Sequence, residues 1–304
     1  RVNLPAITRK DKADILFAME QQVDFIALSF VREAEDVREL RELLGPKANK
    51  IKIIAKIEDQ SGVENLEAII DEVDGIMVAR GDLGVEINIA QLPNVQRRIV
   101  KLCAERGKRV IVATHLLESM IENPIPTRAE VTDVANAIYE EVDAVMLSGE
   151  TTVGKYPVRC VEQLVQIAEA SEDFEGLGYT RGLLGINDKQ NLARHATELA
   201  ASLKAKGIVV ITRRGLMADY VTNCHPHTTR IYAFTNDSQT RRRLVLNRNL
   251  TPYRTAFSNE PEKTLQTAFD VLKQRAGFEH QDTVVVISDV LGSGVEAIQI
   301  RQMP

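Results

Sequence analysis

The sequence contains a series of short apolar runs that each end in charged or small polar residues. Three runs open with the same dipeptide, at Val23-Asp24, Val73-Asp74 and Val142-Asp143. An apolar run without alternation is typical of a strand that is buried on both faces. We therefore interpret the runs as successive strands of one sheet. They cover Asp24–Arg32, Ile51–Glu58, Asp74–Asp82, Arg109–Thr114 and Asp143–Glu150.

Segments with helical spacing separate these runs. The pattern predicts helices over 33–44, 93–105 and 157–171, and the pairs Ser61 with Glu64 and Thr127 with Glu130 each fit a capping box. Alternating strands and helices predict a parallel sheet. Polar residues at the carboxyl ends of its strands are typical of a (β/α)8 barrel. We expect a partial TIM barrel of about five βα units.

A second domain follows a segment without clear periodicity between Ser171 and Asn191. Strand-like runs recur at Gly207–Thr212, Arg230–Thr235 and Asp282–Ser288, with helical patterns between them. This order is typical of a smaller open α/β domain. We therefore predict a barrel portion over 1–175 and an open α/β domain over 190–304.

Composition excludes several classes of partner. The 304 residues carry 38 Lys and Arg against 43 Asp and Glu, so there is no electrostatic case for nucleic acid. No apolar stretch is long enough to span a bilayer, and the amino terminus lacks the pattern of a signal peptide. Cys103, Cys160 and Cys224 are scattered and lack metal-ligand spacing, which indicates reduced thiols. We expect a cytoplasmic protein without membrane partners.

The run that ends at Asp82 carries a pattern that indicates chemistry. Arg80, Gly81 and Asp82 place a cation, a flexible residue and a carboxylate in succession after a buried strand. Lys56 and Glu58 lie two residues apart, so their side chains share one face of an extended strand. Such groups suit an anion and a metal ion. The alternatives are an ordinary charged turn, or carboxylates that only pair with nearby basic side chains.

Four segments with these residues closely resemble the pyruvate kinase family. They are Ile53–Glu58, Gly75–Glu86, Ala113–Met120 and Met146–Thr151, and Asn123–Asn136 extends the resemblance between two of them. The resemblance implies transfer of a phosphoryl group from phosphoenolpyruvate to ADP, giving pyruvate and ATP in glycolysis. It also implies Mg²⁺ or Mn²⁺, K⁺, a homotetramer, and a regulatory or assembly role for the second domain.

The resemblance assigns roles to particular residues. It makes Lys56 and Thr114 catalytic, and it places Lys56, Gly81, Asp82 and Thr114 on the substrate. It makes Glu58 and Asp82 the ligands of the divalent metal ion. Residues in supporting roles are Ser29, Arg80, Glu86, Ser148 and Glu150. For Arg80 we expect a pair with a carboxylate such as Glu86 or Glu118.

The second domain carries a candidate phosphate loop for an effector. Thr212, Arg213, Arg214 and Gly215 join a strand to a helix, where backbone N–H groups can hold a phosphate. The family often binds a sugar phosphate there, although this loop lacks the small hydroxyl residues of effector-responsive members. The loop Gly292–Gly294 is a candidate neighbouring wall, or a plain turn.

The resemblance also sets an expectation about completeness. It places Val2–Thr8 just after the small lid domain of the family, so we expect three barrel strands, the lid and the main K⁺ ligands to be missing here. A five-stranded barrel cannot close, and we expect this polypeptide alone to be inactive or poorly soluble. Two alternatives stay open: a magnesium-dependent, enolate-forming lyase or aldolase, and a non-catalytic remnant for assembly or effector binding.

Overall fold

The chain forms two compact units, Arg1–Gly182 and Leu183–Pro304. The structure is a computed structural model, and it describes residues 6–184, 187–288 and 296–304. Both units alternate strands with helices. This arrangement confirms the predicted fold class, a barrel-like portion followed by a smaller α/β sheet.

The sheet of the first unit is parallel, and its strands stand in chain order. Within the described residues its strands are β1 (Phe25–Leu28), β2 (Lys52–Ile57), β3 (Gly75–Ala79), β4 (Arg109–Ala113) and β5 (Ala144–Met146). Its helices are α1 (Arg9–Glu20), α2 (Ala34–Leu44), α3 (Gln60–Glu64), α4 (Leu66–Glu72), α5 (Arg80–Glu86), α6 (Leu92–Glu105), α7 (Arg128–Tyr139), α8 (Gly149–Thr152) and α9 (Pro157–Glu172). The sequence patterns did not predict helices α1, α5 and α8, and the first residues of α5 and α8 lie in segments that were assigned to strands.

Two of the three Val-Asp aspartates, Asp74 and Asp143, hold the amino ends of neighbouring strands in register. Asp74 donates its backbone N–H to the Ile53 carbonyl at 3.0 Å and accepts the Ile53 N–H on its carboxylate at 2.9 Å. Asp143 has the same two bonds with Val110, at 3.0 and 2.9 Å. Each carboxylate also contacts the cation that opens the preceding strand, Lys52 at 2.9 Å or Arg109 at 3.1 Å. A one-residue slip would break all of these bonds.

Apolar side chains of the strands and surrounding helices form the core of the first unit. Strand β3 is buried along its whole length. Leu40 of α2, Ile69 of α4 and Ile99 of α6 are fully buried and belong to the same cluster as Ile53 and Ile76. Burying a side chain of this size contributes about 1.5–3 kcal/mol to the free energy of unfolding.

Helix α7 starts at the predicted capping box. The Thr127 hydroxyl accepts the Glu130 N–H, and the Glu130 carboxylate accepts the Thr127 N–H at 2.7 Å. Glu130 also accepts the N–H and hydroxyl of Ser119, at 2.7 and 2.6 Å. Burial tends to raise the pKa of Glu130, but these hydrogen bonds outweigh burial and hold its pKa below the ordinary value. The carboxylate therefore fastens α7 to the loop after β4.

The capping box predicted at Ser61 is wrong. Asp59 is the N-cap of helix α3, and its carboxylate accepts the Gly62 N–H at 2.8 Å. Both Asp59 and Ser61 are residue types that cap helices well. The aspartate is the cap because β2 ends at Ile57, and the chain turns into the helix directly after it.

The second unit is an open sheet in the order β10-β9-β6-β7-β8, with β10 antiparallel to β9. Its strands are β6 (Gly207–Ile211), β7 (Arg230–Thr235), β8 (Leu250–Arg254), β9 (Thr283–Ser288) and β10 (Ala297–Gln302), and its helices are α10 (Asp188–Ser202), α11 (Leu216–Asn223), α12 (Ser238–Arg243) and α13 (Pro261–Ala276). Strands β8 and β10 are additions to the predicted set.

Side chains on the two faces of β6 enter separate clusters, as the two-residue period of a strand requires. Ile208 and Val210 pack with α10 and α11, whereas Val209 and Ile211 pack with α13. The cysteines are also part of buried structure. Burial raises the pKa of Cys103, and it raises the pKa of Cys224 to about 11, so both thiols stay protonated at neutral pH.

In the described part of the chain, no helix combines the length and apolar character needed to cross a membrane.

We predict that Thr127→Ala lowers the free energy of unfolding by about 1 kcal/mol, because the substitution removes the hydroxyl that caps α7. Urea unfolding followed by circular dichroism measures this change. Thr132→Ala on the same helix is the matched control, since that hydroxyl only donates back to the Arg128 carbonyl at 3.0 Å. Equal losses in both variants would contradict the capping role.

Candidate active site

The carboxyl ends of β2, β3 and β4 lie level with one another. Ile57 pairs with Val78, and Val78 pairs with Val112. The residues that follow these positions therefore come together at one edge of the sheet. They include Glu58 after β2 and Thr114 after β4.

Lys56 and Glu58 contact each other at the end of β2. The Lys56 Nζ lies 2.8 Å from Glu58 Oε1, and it donates to the Ser29 hydroxyl at 3.0 Å. The second oxygen of Glu58 accepts the Phe30 N–H at 2.6 Å. The Glu58 side chain is 1% exposed, whereas that of Lys56 is 26% exposed. A buried carboxylate thus holds a lysine whose amino group reaches the surface.

Gly81 and Thr114 contact each other across the ends of β3 and β4. The Gly81 N–H donates to the Thr114 hydroxyl oxygen at 2.7 Å, and this hydroxyl donates to the Ala113 carbonyl at 2.6 Å. Asp82 follows in the first turn of α5 and is exposed. Within the described residues its carboxylate has no hydrogen-bond or ion-pair partner.

Arg80 lies beneath this edge with its guanidinium 8% exposed. Nε donates to the Thr114 carbonyl at 3.1 Å, and Nη2 donates to the same oxygen at 2.6 Å and to the His115 carbonyl at 3.2 Å. Nη1 lies 2.8 Å from each carboxylate oxygen of Asp133. The expected pair with Glu86 or Glu118 is therefore wrong. Both of those side chains are exposed, whereas Asp133 on α7 reaches the buried guanidinium.

Glu150 is fully buried at the start of α8. Its carboxylate accepts the Leu117 N–H at 3.1 Å and the Ser148 N–H at 2.7 Å. These bonds connect the segment after β5 to the segment after β4. The structure thus places Ser148 and Glu150 in a backbone-supporting network.

Ser29 and Glu86 line a different part of the edge. Both border a cavity of about 760 Å³, whose other walls include Ile26 of β1, Ile15 of α1 and Arg32. Ser29 also bonds to Lys56, so it connects this cavity to the residues at the end of β2. Glu86 lies at the last position of α5 and is exposed.

The candidate phosphate loop of the second unit is a tight turn after β6. Gly215 has a φ of +86°, a conformation that glycine adopts readily, and its N–H donates to the Thr212 hydroxyl at 3.2 Å. The Arg213 carbonyl accepts the Thr235 hydroxyl at 3.1 Å. The side chains of Arg213 and Arg214 are exposed. The predicted wall Gly292–Gly294 lies outside the described residues.

The carboxylates at the edge of the first unit can serve a hard metal ion. Among the residues that the structure describes, no group of three or more His, Cys, Asp or Glu side chains could hold a metal. Glu58 follows β2, and Asp82 lies in α5 after the neighbouring strand β3. Mg²⁺ commonly uses one or two protein carboxylates and fills its other positions with substrate oxygens and water. The donor set therefore fits Mg²⁺ better than a metal that needs a protein cage.

Comparisons with known proteins agree with this arrangement. The family model for the pyruvate kinase barrel domain matches residues 1–161, and the model for the pyruvate kinase alpha/beta domain matches residues 190–298. The chain belongs to the pyruvate kinase family. Membership of the pyruvate kinase family in both units excludes the lyase or aldolase alternative as the family of this chain.

Individual pyruvate kinases resemble the chain over nearly all of its length. The Dictyostelium discoideum enzyme is 42% identical over 95% of the chain and 59% of the relative. The Geobacillus stearothermophilus enzyme is 43% identical over 95% of the chain and 50% of the relative. A chloroplastic isozyme A from Nicotiana tabacum is 38% identical over 99% of the chain and 52% of the relative. The chain thus spans between half and two thirds of the length of these pyruvate kinases.

Sequence reasoning missed Asp133 as the partner of Arg80 at this edge. It belongs to the segment Asn123–Asn136, which carried the resemblance without an assigned role. The local pattern places Asp133 only on the face of α7 that carries Glu130, three residues earlier, and does not identify its partner. That face points at the loop after β4, as the bonds of Glu130 to Ser119 show.

We predict that Glu150→Ala lowers the free energy of unfolding by about 2–5 kcal/mol, because two N–H groups lose their acceptor. Urea unfolding of the gene product that carries this chain measures the loss. Glu122→Ala is the control. Glu122 is an exposed carboxylate paired with Lys155, so its loss should change the free energy of unfolding little. An unchanged unfolding midpoint in Glu150→Ala would contradict the supporting role.

Proposed function

We propose that this chain carries part of the active site for phosphoryl transfer between phosphoenolpyruvate and ADP, giving pyruvate and ATP. The observation that carries the proposal is the placement of two contacting pairs, Lys56 with Glu58 and Gly81 with Thr114, at neighbouring strand ends. Phosphoryl transfer depends mainly on positioning and on neutralising charge on the transferred group. A held lysine and two carboxylates for a metal supply those functions.

Lys56 provides the positive charge for the transferred phosphoryl group and for the enolate oxygen. Ser29 and Glu58 fix its amino group from two sides, at 3.0 and 2.8 Å. Such a fixed cation needs little reorganisation when negative charge develops, which is the origin of its catalytic effect. The buried Glu58 therefore has two roles: it positions Lys56, and it serves as a metal ligand.

Gly81 gives the substrate carboxylate access to the backbone. A side chain at Gly75 would clash, because its Cβ would lie 2.8 Å from the Arg109 carbonyl oxygen. At Gly81 the nearest described atom would be 3.5 Å away, which is an ordinary contact. Gly81 also lacks the positive φ that favours glycine. Packing within the described residues does not explain this glycine, and close approach of a ligand does.

Thr114 holds a hydroxyl between the Gly81 N–H and the Ala113 carbonyl. One lone pair of this oxygen remains for a water molecule or for the substrate. The role assigned to the hydroxyl is to hold, on this lone pair, a water molecule that exchanges a proton with the methylene carbon of the enolate. Glu58 and Asp82 hold the Mg²⁺ or Mn²⁺ ion, which stabilises the charge on phosphoryl and carboxylate oxygens when it is bound.

The remaining properties follow the family. We propose K⁺ as a second cofactor, a cytoplasmic homotetramer as the assembly, and domains over 1–175 and 190–304. We also propose that Thr212, Arg213, Arg214 and Gly215 hold the phosphate of an effector. The exposed guanidinium groups of Arg213 and Arg214 support this role, since they suit a phosphate dianion.

We predict that Lys56→Met lowers kcat roughly 100- to 1000-fold, because it removes a fixed charge from the developing transition state. A coupled assay of pyruvate formation from phosphoenolpyruvate and ADP measures this loss in the gene product that carries this chain. Lys52→Met is the matched control, because Lys52 lies on the same strand at the opposite end and pairs with Asp74.

Three outcomes separate the hypotheses. Activity that survives in Lys52→Met and is lost in Lys56→Met supports the proposal. Equal activity in the parent and in Lys56→Met contradicts the role of the lysine. A parent protein that forms no pyruvate favours the non-catalytic remnant.

We predict that Glu58→Gln and Asp82→Asn each raise the Kd for Mn²⁺ roughly tenfold or more, because each removes one charged metal ligand. Electron paramagnetic resonance of free Mn²⁺ measures binding without any need for turnover. Glu118→Gln is the control, since that carboxylate is also near the strand ends but only faces His115, at 4.0 Å. Unchanged Mn²⁺ binding in both variants would refute the ligand assignment.

A further inference from the structure

Two consecutive residues at the end of β4 adopt a strained backbone conformation. Thr114 has a φ of +69° and His115 has a φ of +54°. L-residues avoid this left-handed region, and a β-branched residue such as threonine avoids it most strongly. Two such residues in succession persist only where the surrounding structure holds them. Thr114 is also the residue whose hydroxyl accepts the Gly81 N–H.

The Arg80 guanidinium holds both strained peptides by their carbonyl groups. Two of its nitrogens donate to the Thr114 carbonyl, and one of these also donates to the His115 carbonyl, at 2.6 to 3.2 Å. Five N–H donors in a rigid plane allow arginine to fix two carbonyl directions at once. The guanidinium therefore defines where the Thr114 peptide points.

Asp133 holds that guanidinium from the other side. Both of its carboxylate oxygens lie 2.8 Å from Arg80 Nη1. Among the described residues, no hydrogen bond or ion pair joins Asp133 to Lys56, Glu58 or Asp82, so its effect on the site passes through Arg80. A buried guanidinium without a counter-charge reorients or attracts water.

Helix α7 gives Asp133 a fixed position. At its start, Glu130 binds the N–H and hydroxyl of Ser119. Just past its end, Glu140 accepts from Gln96 at 2.9 Å and from Arg97 at 3.2 Å. The helix is therefore attached on both sides of Asp133, to the loop after β4 and to α6.

We propose that Asp133 is a positioning residue, which acts through Arg80 to keep Thr114 and His115 in the left-handed conformation that places the Thr114 hydroxyl on the Gly81 N–H. The inference rests on the proposed function for the step that Thr114 serves. The step that Thr114 serves would then depend also on Asp133, a residue of helix α7 that lies outside the strand ends.

The test uses Asp133→Asn in the gene product that carries this chain. We expect kcat to fall roughly ten- to a hundredfold, because a small displacement of a catalytic group costs this much. The KM for phosphoenolpyruvate should change less, and the Kd for Mn²⁺ should not change, since Glu58 and Asp82 keep their contacts. Asp71→Asn is the matched control, because it breaks a carboxylate–arginine pair with Arg106 at 3.3 Å, far from Thr114 along the fold.

Two double variants separate positioning from general stability. In a Thr114→Ala background, Asp133→Asn should lower kcat little further, because both changes remove the same function. His115→Gly should restore part of the kcat of Asp133→Asn, since glycine adopts a positive φ without strain. Additive losses, no rescue, or loss of Mn²⁺ binding together with activity would overturn the proposal.

A crystal structure of the Asp133→Asn variant gives a readout without turnover. The φ angles of Thr114 and His115 should leave the positive region, and the bond from the Gly81 N–H should break. Unchanged φ angles would overturn the inference even in an active enzyme. Absence of pyruvate formation in the parent would instead refute the proposed function, and the φ angles would still decide the role of Asp133.

Discussion

Register at the amino ends of the strands is the constraint on which the first unit depends. Asp74 and Asp143 each exchange two hydrogen bonds with a residue of the preceding strand. A parallel pair without such bonds can slip, and a slip by one residue turns every side chain to the other face. Because the starts are aligned, Ile57, which precedes Glu58, and Val112, which lies two residues before Thr114, come to the same level at the other ends. The bonds that define the register thus lie at the opposite edge of the sheet from Glu58 and Thr114, whose positions depend on that register.

Buried charge organises the site edge, and each buried charge has its partners. Glu58 binds a lysine and an N–H, Glu150 binds two N–H groups, and Arg80 binds two carbonyls and a carboxylate. Removing one partner of such a group costs more than the bond itself, because the remaining charge or N–H stays buried. The positions of the side chains at this edge therefore depend on complete hydrogen-bond and ion-pair networks rather than on single strong contacts.

Local patterns in the sequence were sufficient for the five strands of the first sheet, for β6, β7 and β9 of the second sheet, and for most of the longer helices. The Val-Asp dipeptides, the capping box at Thr127 and the alternation of elements all act over a few positions. The partner of Arg80 could not be found in this way, because Asp133 is separated from it by 53 residues. Nor could the positive φ of Thr114, since threonine has no local preference for it. Long-range contacts override local preference at both positions.

The attachment of α7 has a mechanical consequence. The helix is a stiff rod, with one anchor at Ser119 and another at α6. Its middle carries the carboxylate that ends the hydrogen-bond chain to Thr114. A tilt of this rod by a contact on its outer surface would reach the catalytic hydroxyl through only two side chains. On the proposed role of Thr114, the helix would connect a contact on the protein surface to the rate of the proton step.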